Sequence, residues 1–316
     1  MYEERNLALE FVRVTEAAAI ASAEWIGRGD KNAADQAAVD EMRSRFNQIH
    51  FKAEVVIGEG TKDEAPMLYT GEIVGKGADL EYDIAVDPLE CTDSVAYGRY
   101  NAISVIVTGK KGSLFHAPDT YMEKIAVGPA GKDVIDLDAP TVDTIQKVAK
   151  AQGKDVREVT IIVLDRPRHT QLIEEIRQAG ARVRLITDGD VAGGIAPCVV
   201  DSGVDLLMGI GASTEAVLAS SAIKIFGGEL LCRFKPKDKQ AEEHIRKAGI
   251  SDLSRIYRSS DLVKSDENTF TATGIIDGPL LSGVQFNKHT IVTHSLVMRG
   301  ASKTIRYITT HHHYQP

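Results

Sequence analysis

Apolar residues near the start of the chain recur at the spacing of an amphipathic helix. The pattern predicts one helix over about residues 7–26, with Gly27 as its stop. A second helix is predicted over residues 37–47, with an inward face formed by Val39, Met42 and Phe46. Shorter runs rich in β-branched residues follow, and they predict strands at residues 54–58, 83–86 and 102–109. The first half of the chain is therefore expected to form two helices followed by a sheet.

The second half alternates between strand and helix patterns. Strands are predicted at residues 159–164, 182–186 and 205–209, followed in turn by helices at about 170–178, from near 191, and at about 215–226. Alternation of this kind predicts βαβ units and a parallel sheet. Three more strands are predicted from about residue 269 onward, and a boundary between two halves of the chain is expected near residue 140.

Composition and charge narrow the class of protein. Hydrophobic residues make up 43% and charged residues 26% of the 316 residues, which is typical of a globular protein. The net charge of −8 argues against nucleic acid or an anionic membrane as the main partner. The N-terminus lacks the basic start and apolar run of a secretion signal, and no segment has the length of a membrane span. Three widely spaced cysteines offer no disulfide framework, so the protein is expected to be cytoplasmic.

The loops after the three predicted parallel strands carry arginine, aspartate and glycine. They are DRPRH at 165–169, DGD at 188–190 and GIG at 209–211. In open α/β sheets the carboxyl ends of the strands form the ligand crevice. Arginine can hold a phosphate through several donors, and glycine lets backbone N–H groups approach an anion. Any one of these loops alone is more often an ordinary solvated loop, but three in register favour an anion-binding site.

Acidic residues follow the predicted strands of the first half. Asp35 opens the second predicted helix, and Glu59 and Asp63 come after the strand at 54–58. Asp87 ends the strand at 83–86, and Glu90 lies three residues further on. A carboxylate just past a buried strand is costly unless its charge is neutralised, and hard oxygen ligands suit Mg²⁺ or Mn²⁺. Each acid alone is more often a cap or a solvated loop residue, so it is their grouping that indicates a metal site.

One short segment connects these observations to a known superfamily. Residues 87–92, Asp-Pro-Leu-Glu-Cys-Thr, resemble the D-P-(I/L)-(D/E)-G-T signature of the lithium-sensitive, metal-dependent phosphatases. Further segments resemble, in order and spacing, class II fructose-1,6-bisphosphatases: RVTEAAAIASAEWIGRGDKNAAD, VVIGEGTKDEAPMLY, APDTYMEKIAVGP, LDRPRH, ITDGDVAG and ATGI-DG. The resemblance runs from about Leu9 to Tyr307. It implies an α/β protein with the layered αβαβα sugar-phosphatase fold, in which residues 1–140 form a metal-binding catalytic half and residues 141–316 a sugar-phosphate-binding half.

The resemblance also implies roles for individual residues. The implied ligands of two or more Mn²⁺ or Mg²⁺ ions are Asp35, Glu59, Asp87, Glu90 and Glu215. Thr92 is implied to position or activate the attacking water, with Lys31 and Asp63 as supporting charged groups. The implied substrate-binding residues are Glu90, Cys91, Thr92, Tyr121, Arg166, Pro167, Arg168, Asp188, Gly189, Asp190 and Ala212. The implied reaction removes the 1-phosphate of fructose 1,6-bisphosphate to give fructose 6-phosphate, and the implied assembly is a homodimer or homotetramer.

Two positions depart from the family pattern. Cys91 stands where the signature has glycine, and we expect its side chain to crowd the ligand or to impose a strained backbone. The family reads P-E-G around the late glutamate, whereas this chain has Thr214-Glu215-Ala216. Three alternatives stay open, and Cys91 is the feature that supports the last of them. They are activity on sedoheptulose 1,7-bisphosphate as well, activity on inositol phosphates or other sugar phosphates, and a catalytically impaired paralogue that binds a sugar phosphate.

Overall fold

The computed structural model describes residues 3–60, 67–79 and 81–313, with side chains described from Leu7 onward. The helices are α1 (Glu3–Ala23), α2 (Lys31–Phe46), α3 (Thr92–Tyr97), α4 (Thr141–Gln152), α5 (Thr170–Gln178), α6 (Asp190–Ile195), α7 (Ser213–Phe226), α8 (Lys239–Lys247) and α9 (Ser259–Leu262). The strands are β1 (Ala53–Ile57), β2 (Ile73–Val74), β3 (Tyr82–Glu90), β4 (Ala102–Lys110), β5 (Tyr121–Val127), β6 (Thr160–Leu164), β7 (Arg182–Ile186), β8 (Leu206–Ala212), β9 (Glu229–Phe234), β10 (Tyr257–Arg258), β11 (Thr269–Ile276), β12 (Gln285–Phe286), β13 (Thr290–Arg299) and β14 (Thr304–His313). Sheets combined with packed helices confirm the predicted α/β class.

The chain divides into two compact units. The first consists of residues 1–116 together with residues 263–316, and the second consists of residues 117–262. This division differs from the predicted boundary near residue 140 between residues 1–140 and 141–316. The chain passes from the first unit into the second at residue 117, because β5 pairs with strands of the second unit. It returns to the first unit after residue 262, because β11 pairs with β4.

The first unit is built on an eight-stranded sheet. Its strand order is β12-β13-β11-β4-β3-β1-β2, and β14 pairs with β13. Helices α1 and α2 contribute Phe11, Val14, Met42 and Phe46 to one core with the sheet residues, and all four side chains are buried. The rings of Phe11 and Phe46 meet edge to face with their centroids 6.4 Å apart. The predicted order of two helices followed by a sheet is confirmed.

Two element boundaries in the first unit differ from the predictions. Helix α2 begins at Lys31 and not near residue 37, because Asp30 caps it by accepting a hydrogen bond of 3.0 Å from the Ala33 N–H. Asp35 therefore lies inside the helix instead of opening it. Strand β3 runs on to Glu90 instead of ending at Asp87, through an irregularity in its pairing with β4 between these two residues. A bulge of this kind accommodates a proline within a strand.

The second unit is built on a six-stranded sheet of mixed direction. Its order is β10-β9-β5-β8-β6-β7, with β6 parallel to both β7 and β8. The predicted parallel sheet is confirmed for these three strands. It is wrong for the sheet as a whole, because β5 runs antiparallel to β8 and β9, and β9 runs antiparallel to β10. Helices α4 and α5 share a hydrophobic core with one face of the sheet, through residues such as Ile145 and Ile176.

The three strands predicted after residue 269 are present as β11, β13 and β14, and β14 extends through the C-terminal histidines to His313. None of the described helices combines the length and the apolar character that crossing a bilayer requires.

Candidate active site

The acidic residues of the first unit lie at one edge of its sheet. Strands β1 and β3 are parallel and Ile57 pairs with Ala85, so both strands reach the same edge at their carboxyl ends. Glu59 follows β1 by two residues, and Asp87 lies two residues beyond Ala85 on β3. The Asp35 carboxylate is close enough to Glu59 for its charge to raise the pKa of the Glu59 carboxyl. The parallel pairing of β1 and β3 therefore brings Glu59 and Asp87, which are distant in the sequence, to the same edge of the sheet.

Burial favours the protonated forms of Asp35 and Glu59, and repulsion by the Asp35 charge adds to this effect at Glu59. Burial, with a smaller contribution from the neighbouring Asp35 carboxylate, raises the pKa of Glu59 to about 8. Burial also raises the pKa of Asp35. Two half-buried carboxylates held near each other form a donor set whose charge a divalent cation neutralises. The chemistry of Asp35 and Glu59 thus fits the predicted Mg²⁺ or Mn²⁺.

The structure gives less support for the remaining predicted metal ligands. Among the described residues, no group of three or more His, Cys, Asp or Glu side chains is arranged as a ready metal cluster. Asp63 falls within residues 61–66, outside the described residues. Asp87 and Glu90 flank the bulge of β3, and Glu90 is buried. Their role as ligands stays a prediction, together with that of Glu215.

The turn from β3 into α3 holds the predicted water-positioning residue. Cys91 lies in the left-handed region, with φ of 82° and ψ of 54°, and Thr92 is the first residue of α3. The Cys91 thiol donates a hydrogen bond of 3.0 Å to the Glu90 carboxylate. Lys31 reaches this turn from the start of α2, with its Nζ 3.7 Å from the carboxylate of Asp93. The structure thus brings Lys31, Glu90, Cys91 and Thr92 into one neighbourhood.

A cationic and aromatic edge forms at the carboxyl ends of β6 and β8 in the second unit. Arg168 lies over the ring of Tyr121, with its guanidinium carbon 4.8 Å from the ring centroid. Its Nε and Nη2 donate hydrogen bonds of 3.1 and 2.8 Å to the Ile210 carbonyl oxygen. Tyr121 reaches the same edge because it pairs with Ala212 across β5 and β8. The guanidinium is therefore fixed by stacking and by two hydrogen bonds, and it retains further N–H donors for an anion.

The other predicted substrate residues of this unit lie on the neighbouring loops. Arg166 precedes the short turn that begins at Pro167, and its Nη1 donates a hydrogen bond of 3.2 Å to the Asp165 carbonyl oxygen. Asp188 and Gly189 lead into α6, and Gly189 has a φ of 89°. Because β6, β7 and β8 are parallel, these loops share one edge of the sheet, as predicted.

Asp190 is the predicted substrate residue whose environment differs most from the expectation. Its side chain is only 3% exposed, and its Oδ2 lies 2.6 Å from Nζ of Lys124. Glu215, the predicted ligand on α7, lies 3.7 Å from the same Nζ and accepts a hydrogen bond of 3.1 Å from the Ala212 N–H. An enclosed, ion-paired carboxylate favours a role in positioning its loop over the direct substrate contact predicted from the sequence.

Sequence reasoning assigned no role to two residues that organise this edge. Lys124 lies in β5, which the pattern did not predict as a strand because Glu123 and Lys124 interrupt its apolar run. His169 was noted within its loop, but it is buried and bridges two strands. Its Nδ1 lies 2.7 Å from the Leu164 carbonyl oxygen, and its Nε2 accepts a hydrogen bond of 2.7 Å from the Ile210 N–H. A lysine in the middle of an otherwise apolar segment was the available signal for Lys124.

Comparison with known proteins agrees with the resemblance in the motifs. Residues 5–312 match the family model described as bacterial fructose-1,6-bisphosphatase, glpX-encoded. The chain is 45% identical over 321 aligned residues to the class 2 fructose-1,6-bisphosphatase of Haemophilus influenzae, covering 98% of this chain and 96% of that protein. It has the same identity and coverage with fructose-1,6-bisphosphatase 1 class 2 of Escherichia coli K12. A match over nearly the whole length includes both the acidic edge and the cationic edge, so the chain belongs to the glpX-encoded bacterial family of fructose-1,6-bisphosphatases.

Proposed function

We propose that this protein hydrolyses the 1-phosphate of fructose 1,6-bisphosphate, with Mn²⁺ or Mg²⁺, to give fructose 6-phosphate in gluconeogenesis. Family membership over the whole chain supports the reaction class. The observation that carries the proposal is the pair of Asp35 and Glu59, whose pKa values are raised by burial and, for Glu59, by the neighbouring charge. Such a pair suits a protein that uses divalent cations to hold and polarise a phosphate ester.

The acidic residues would hold the cations. We assign Asp35, Glu59, Asp87, Glu90 and Glu215 as ligands. Bound divalent ions would neutralise the charge on the phosphoryl oxygens and make a water molecule nucleophilic near neutral pH. Thr92, at the first position of α3, is assigned to orient that water through its hydroxyl group. Lys31 adds positive charge at the same turn, through its position near Asp93.

The cationic edge would hold the part of the substrate that is not cleaved. Arg168 is suited to the other phosphate, because its guanidinium is fixed over Tyr121 and on the Ile210 carbonyl group. Planar guanidinium groups bind phosphate oxygens through paired N–H donors. Arg166, Asp188 and Gly189 lie at the same edge and are assigned to the phosphate and the sugar hydroxyl groups, with Asp190 positioning their loop.

A second candidate function is supported by one observation. Cys91 combines a left-handed backbone with a thiol that donates to Glu90, an assigned ligand. Both features would impair the ligand arrangement, so a sugar-phosphate-binding paralogue of low activity is the competing proposal.

Activity on sedoheptulose 1,7-bisphosphate or on inositol phosphates would use the same site, and the phosphate-release assay described below tests it. The assigned assembly, a homodimer or homotetramer, is measured by light scattering.

One assay tests these proposals together. Phosphate release is measured from fructose 1,6-bisphosphate, sedoheptulose 1,7-bisphosphate and inositol monophosphate, with Mn²⁺, with Mg²⁺ and with chelator. We expect the fructose bisphosphate to be hydrolysed only when a divalent ion is present. Glu59→Gln and Asp87→Asn should nearly abolish turnover while the far-UV circular dichroism stays unchanged, because each removes an anionic donor at constant volume. Full turnover by metal-stripped enzyme in chelator, or by both variants, would exclude the assignment.

A further inference from the structure

A buried ion cluster lies behind the cationic edge of the second unit. Lys124, on β5, places its Nζ 2.6 Å from Oδ2 of Asp190, which is the first residue of α6. The same Nζ lies 3.7 Å from the carboxylate of Glu215, in the first turn of α7. The Lys124 and Asp190 side chains are 2% and 3% exposed, whereas the Glu215 side chain is 21% exposed. One buried cation thus contacts one enclosed carboxylate and one that reaches the surface.

The neighbouring strand β8 leaves space for this ion cluster at Gly211. A Cβ atom at Gly211 would lie 1.7 Å from Oδ2 of Asp190 and 3.0 Å from Nζ of Lys124. Only a glycine therefore leaves room for the ion pair beside β8. The second carboxylate oxygen of Asp190 is buried and has no hydrogen-bond partner among the described residues. Lys124 consequently provides the main compensation for the buried charge of Asp190.

The cluster joins two loops to the central strand of the sheet. Asp190 ends the segment 188–190 after β7, and Glu215 follows the end of β8 by three residues. Strand β5 is paired on both sides, with β8 and with β9, so Lys124 is anchored in the middle of the sheet. A lysine held in this way fixes the starts of α6 and α7 relative to each other.

We propose that Lys124 is a positioning residue, which sets Glu215 and the loop at residues 188–190 through its buried contacts. The proposal rests on the function proposed above, in which Glu215 is a metal ligand and this loop contacts the sugar. Because its side chain is only 2% exposed, we assign Lys124 no direct contact with the substrate or the metal. Its removal should therefore weaken metal binding and turnover by displacing Glu215 and the loop.

A simpler role for Lys124 is only to neutralise the charge of Asp190. Variants that differ in the net charge near Glu215 distinguish this role from the positioning role. Lys124→Met alone leaves an unpaired carboxylate in the interior and can fail to fold. The double variant Lys124→Met/Asp190→Asn removes one positive and one negative charge, so the net charge near Glu215 is unchanged. Loss of the cation alone would strengthen Mn²⁺ binding through a more negative site. Weaker Mn²⁺ binding by the double variant therefore reports lost positioning and not altered charge.

The same unit offers a matched control at the opposite end of the sheet. Lys154 pairs with Asp205, whose side chain is 5% exposed and whose Oδ2 accepts a hydrogen bond of 2.8 Å from the Thr160 N–H. This pair lies at the amino ends of β6 and β8, away from the loops after these strands. The double variant Lys154→Met/Asp205→Asn makes the identical chemical change there, and its activity and Mn²⁺ binding should stay within twofold of wild type.

The experiment has two readouts on folded full-length protein, with folding checked by thermal unfolding. Mn²⁺ binding is titrated without substrate, by the electron paramagnetic resonance signal of free Mn²⁺, and kcat and KM for fructose 1,6-bisphosphate are measured at saturating Mn²⁺. For Lys124→Met/Asp190→Asn we expect a Mn²⁺ dissociation constant raised at least fivefold and a kcat lowered at least tenfold. Glu215→Gln serves as the reference, because it should weaken Mn²⁺ binding in the same direction.

The outcomes are distinguishable. Wild-type Mn²⁺ binding and turnover in the Lys124 double variant would overturn the proposal and leave Lys124 as a neutralising partner of Asp190. Equal losses in the Lys154 control would also overturn it, because they would show a general effect of removing a lysine–aspartate ion pair from this unit. If the double variant does not fold, Gly211→Ala tests the proposal in the same assays, because its added methyl group displaces the Lys124–Asp190 ion pair. If wild type releases no phosphate from fructose 1,6-bisphosphate, the proposed function fails while the Mn²⁺ titration still tests Lys124.

Discussion

Cys91 is the residue at which this chain departs most from its family signature. A left-handed backbone costs a residue with a Cβ atom about 1–2 kcal/mol, whereas glycine adopts it freely. The φ of 82° at Cys91 confirms the expectation that the glycine of the signature serves a strained backbone. The thiol is buried, and it donates to the carboxylate of Glu90. The substitution therefore adds both backbone strain and a competing hydrogen bond beside an assigned metal ligand.

We expect Cys91→Gly to raise kcat/KM for fructose 1,6-bisphosphate at least tenfold, which corresponds to about 1.4 kcal/mol of barrier. The variant relieves the backbone and frees the Glu90 oxygen from the thiol. Cys91→Ala is the matched control, because it removes the thiol and keeps the Cβ atom. An increase in both variants would assign the effect to the thiol, and an increase in Cys91→Gly alone would assign it to the backbone. An unchanged or lower kcat/KM in Cys91→Gly would show that cysteine is accommodated.

Arg168 supports a prediction about substrate binding, measured by KM, and not about the chemical step, measured by kcat. Its guanidinium stacks on Tyr121 and is held by the Ile210 carbonyl group, so it is ordered before substrate arrives. A contact to the phosphate that is not cleaved is equal in the ground state and the transition state. We therefore expect Arg168→Ala to raise KM about tenfold or more with a smaller change in kcat. Arg177→Ala, at an exposed position on α5, is the control, and an unchanged KM in Arg168→Ala would contradict the assignment.

At the scale of elements, His169 connects the end of β6 to β8. Its Nδ1 lies 2.7 Å from the Leu164 carbonyl oxygen, and the Ile210 N–H donates to its Nε2. Both contacts are satisfied by a neutral ring protonated at Nδ1, because Nε2 must accept. Burial lowers the pKa of His169, with smaller contributions in the same direction from Arg168 and Arg166. The folded protein therefore resists protonation of this ring more than the unfolded chain does.

This linkage predicts a pH dependence of stability. The unfolded ring titrates near pH 6.5, so the stabilising contribution of neutral His169 is complete above that pH. It is lost as the pH falls from about 6.5 through the lowered pKa of the folded state, by up to about 1.4 kcal/mol per pH unit. We expect His169→Gln to be less stable than wild type at pH 7.5 but to lose less stability between pH 7.5 and 5.5. Thermal unfolding measures this, with exposed His244→Gln as the control, and an unaltered pH dependence in His169→Gln would contradict it.

At the scale of the whole molecule, the two units differ in continuity along the chain. The second unit is one segment, residues 117–262, whereas the first needs residues from both ends. Strand β4 is paired with β11, which lies after the second unit in the chain. Within the first unit, the end of its N-terminal segment lies beside the start of its C-terminal segment. Leu114 and Val263 form a β-bridge, and the Lys264 N–H donates a hydrogen bond of 2.9 Å to the Ser113 carbonyl oxygen.

Segment experiments follow from this topology. We expect residues 117–262 expressed alone to unfold in one cooperative thermal transition, because every strand pairing of their sheet is internal. Residues 1–116 alone should not, because β4 would expose an unpaired edge. Residues 1–116 joined to residues 263–316 by a short Gly-Ser linker should regain a cooperative transition, since the joined ends are already adjacent. Cooperative unfolding of residues 1–116 alone, measured by circular dichroism, would contradict the proposed dependence on β11.

The sequence by itself determined those features that depend on near neighbours. Helix α5 and strand β7 have the predicted bounds, because their apolar spacing and flanking residues are local signals. The motif at residues 87–92 indicated the superfamily, and the further segments that resemble class II fructose-1,6-bisphosphatases indicated the family. The loops after β6, β7 and β8 were correctly grouped, because parallel strands end at one edge. Even the strain at Cys91 was foreseeable, since a glycine in a signature indicates a backbone that other residues adopt at a cost.

Tertiary structure alone decided which distant residues meet. Strand β5 was missed, because adjacent Glu123 and Lys124 break the apolar pattern, and it is pairing on both sides that makes this segment a central strand. The burial of Asp190 depends on Lys124, which lies 66 positions earlier in the chain, and on the space left by Gly211. The return of β11 to β4 is likewise invisible in either segment. Composition and periodicity report each residue's local preference, whereas the cost of a buried charge is set by partners that only the folded chain brings within reach.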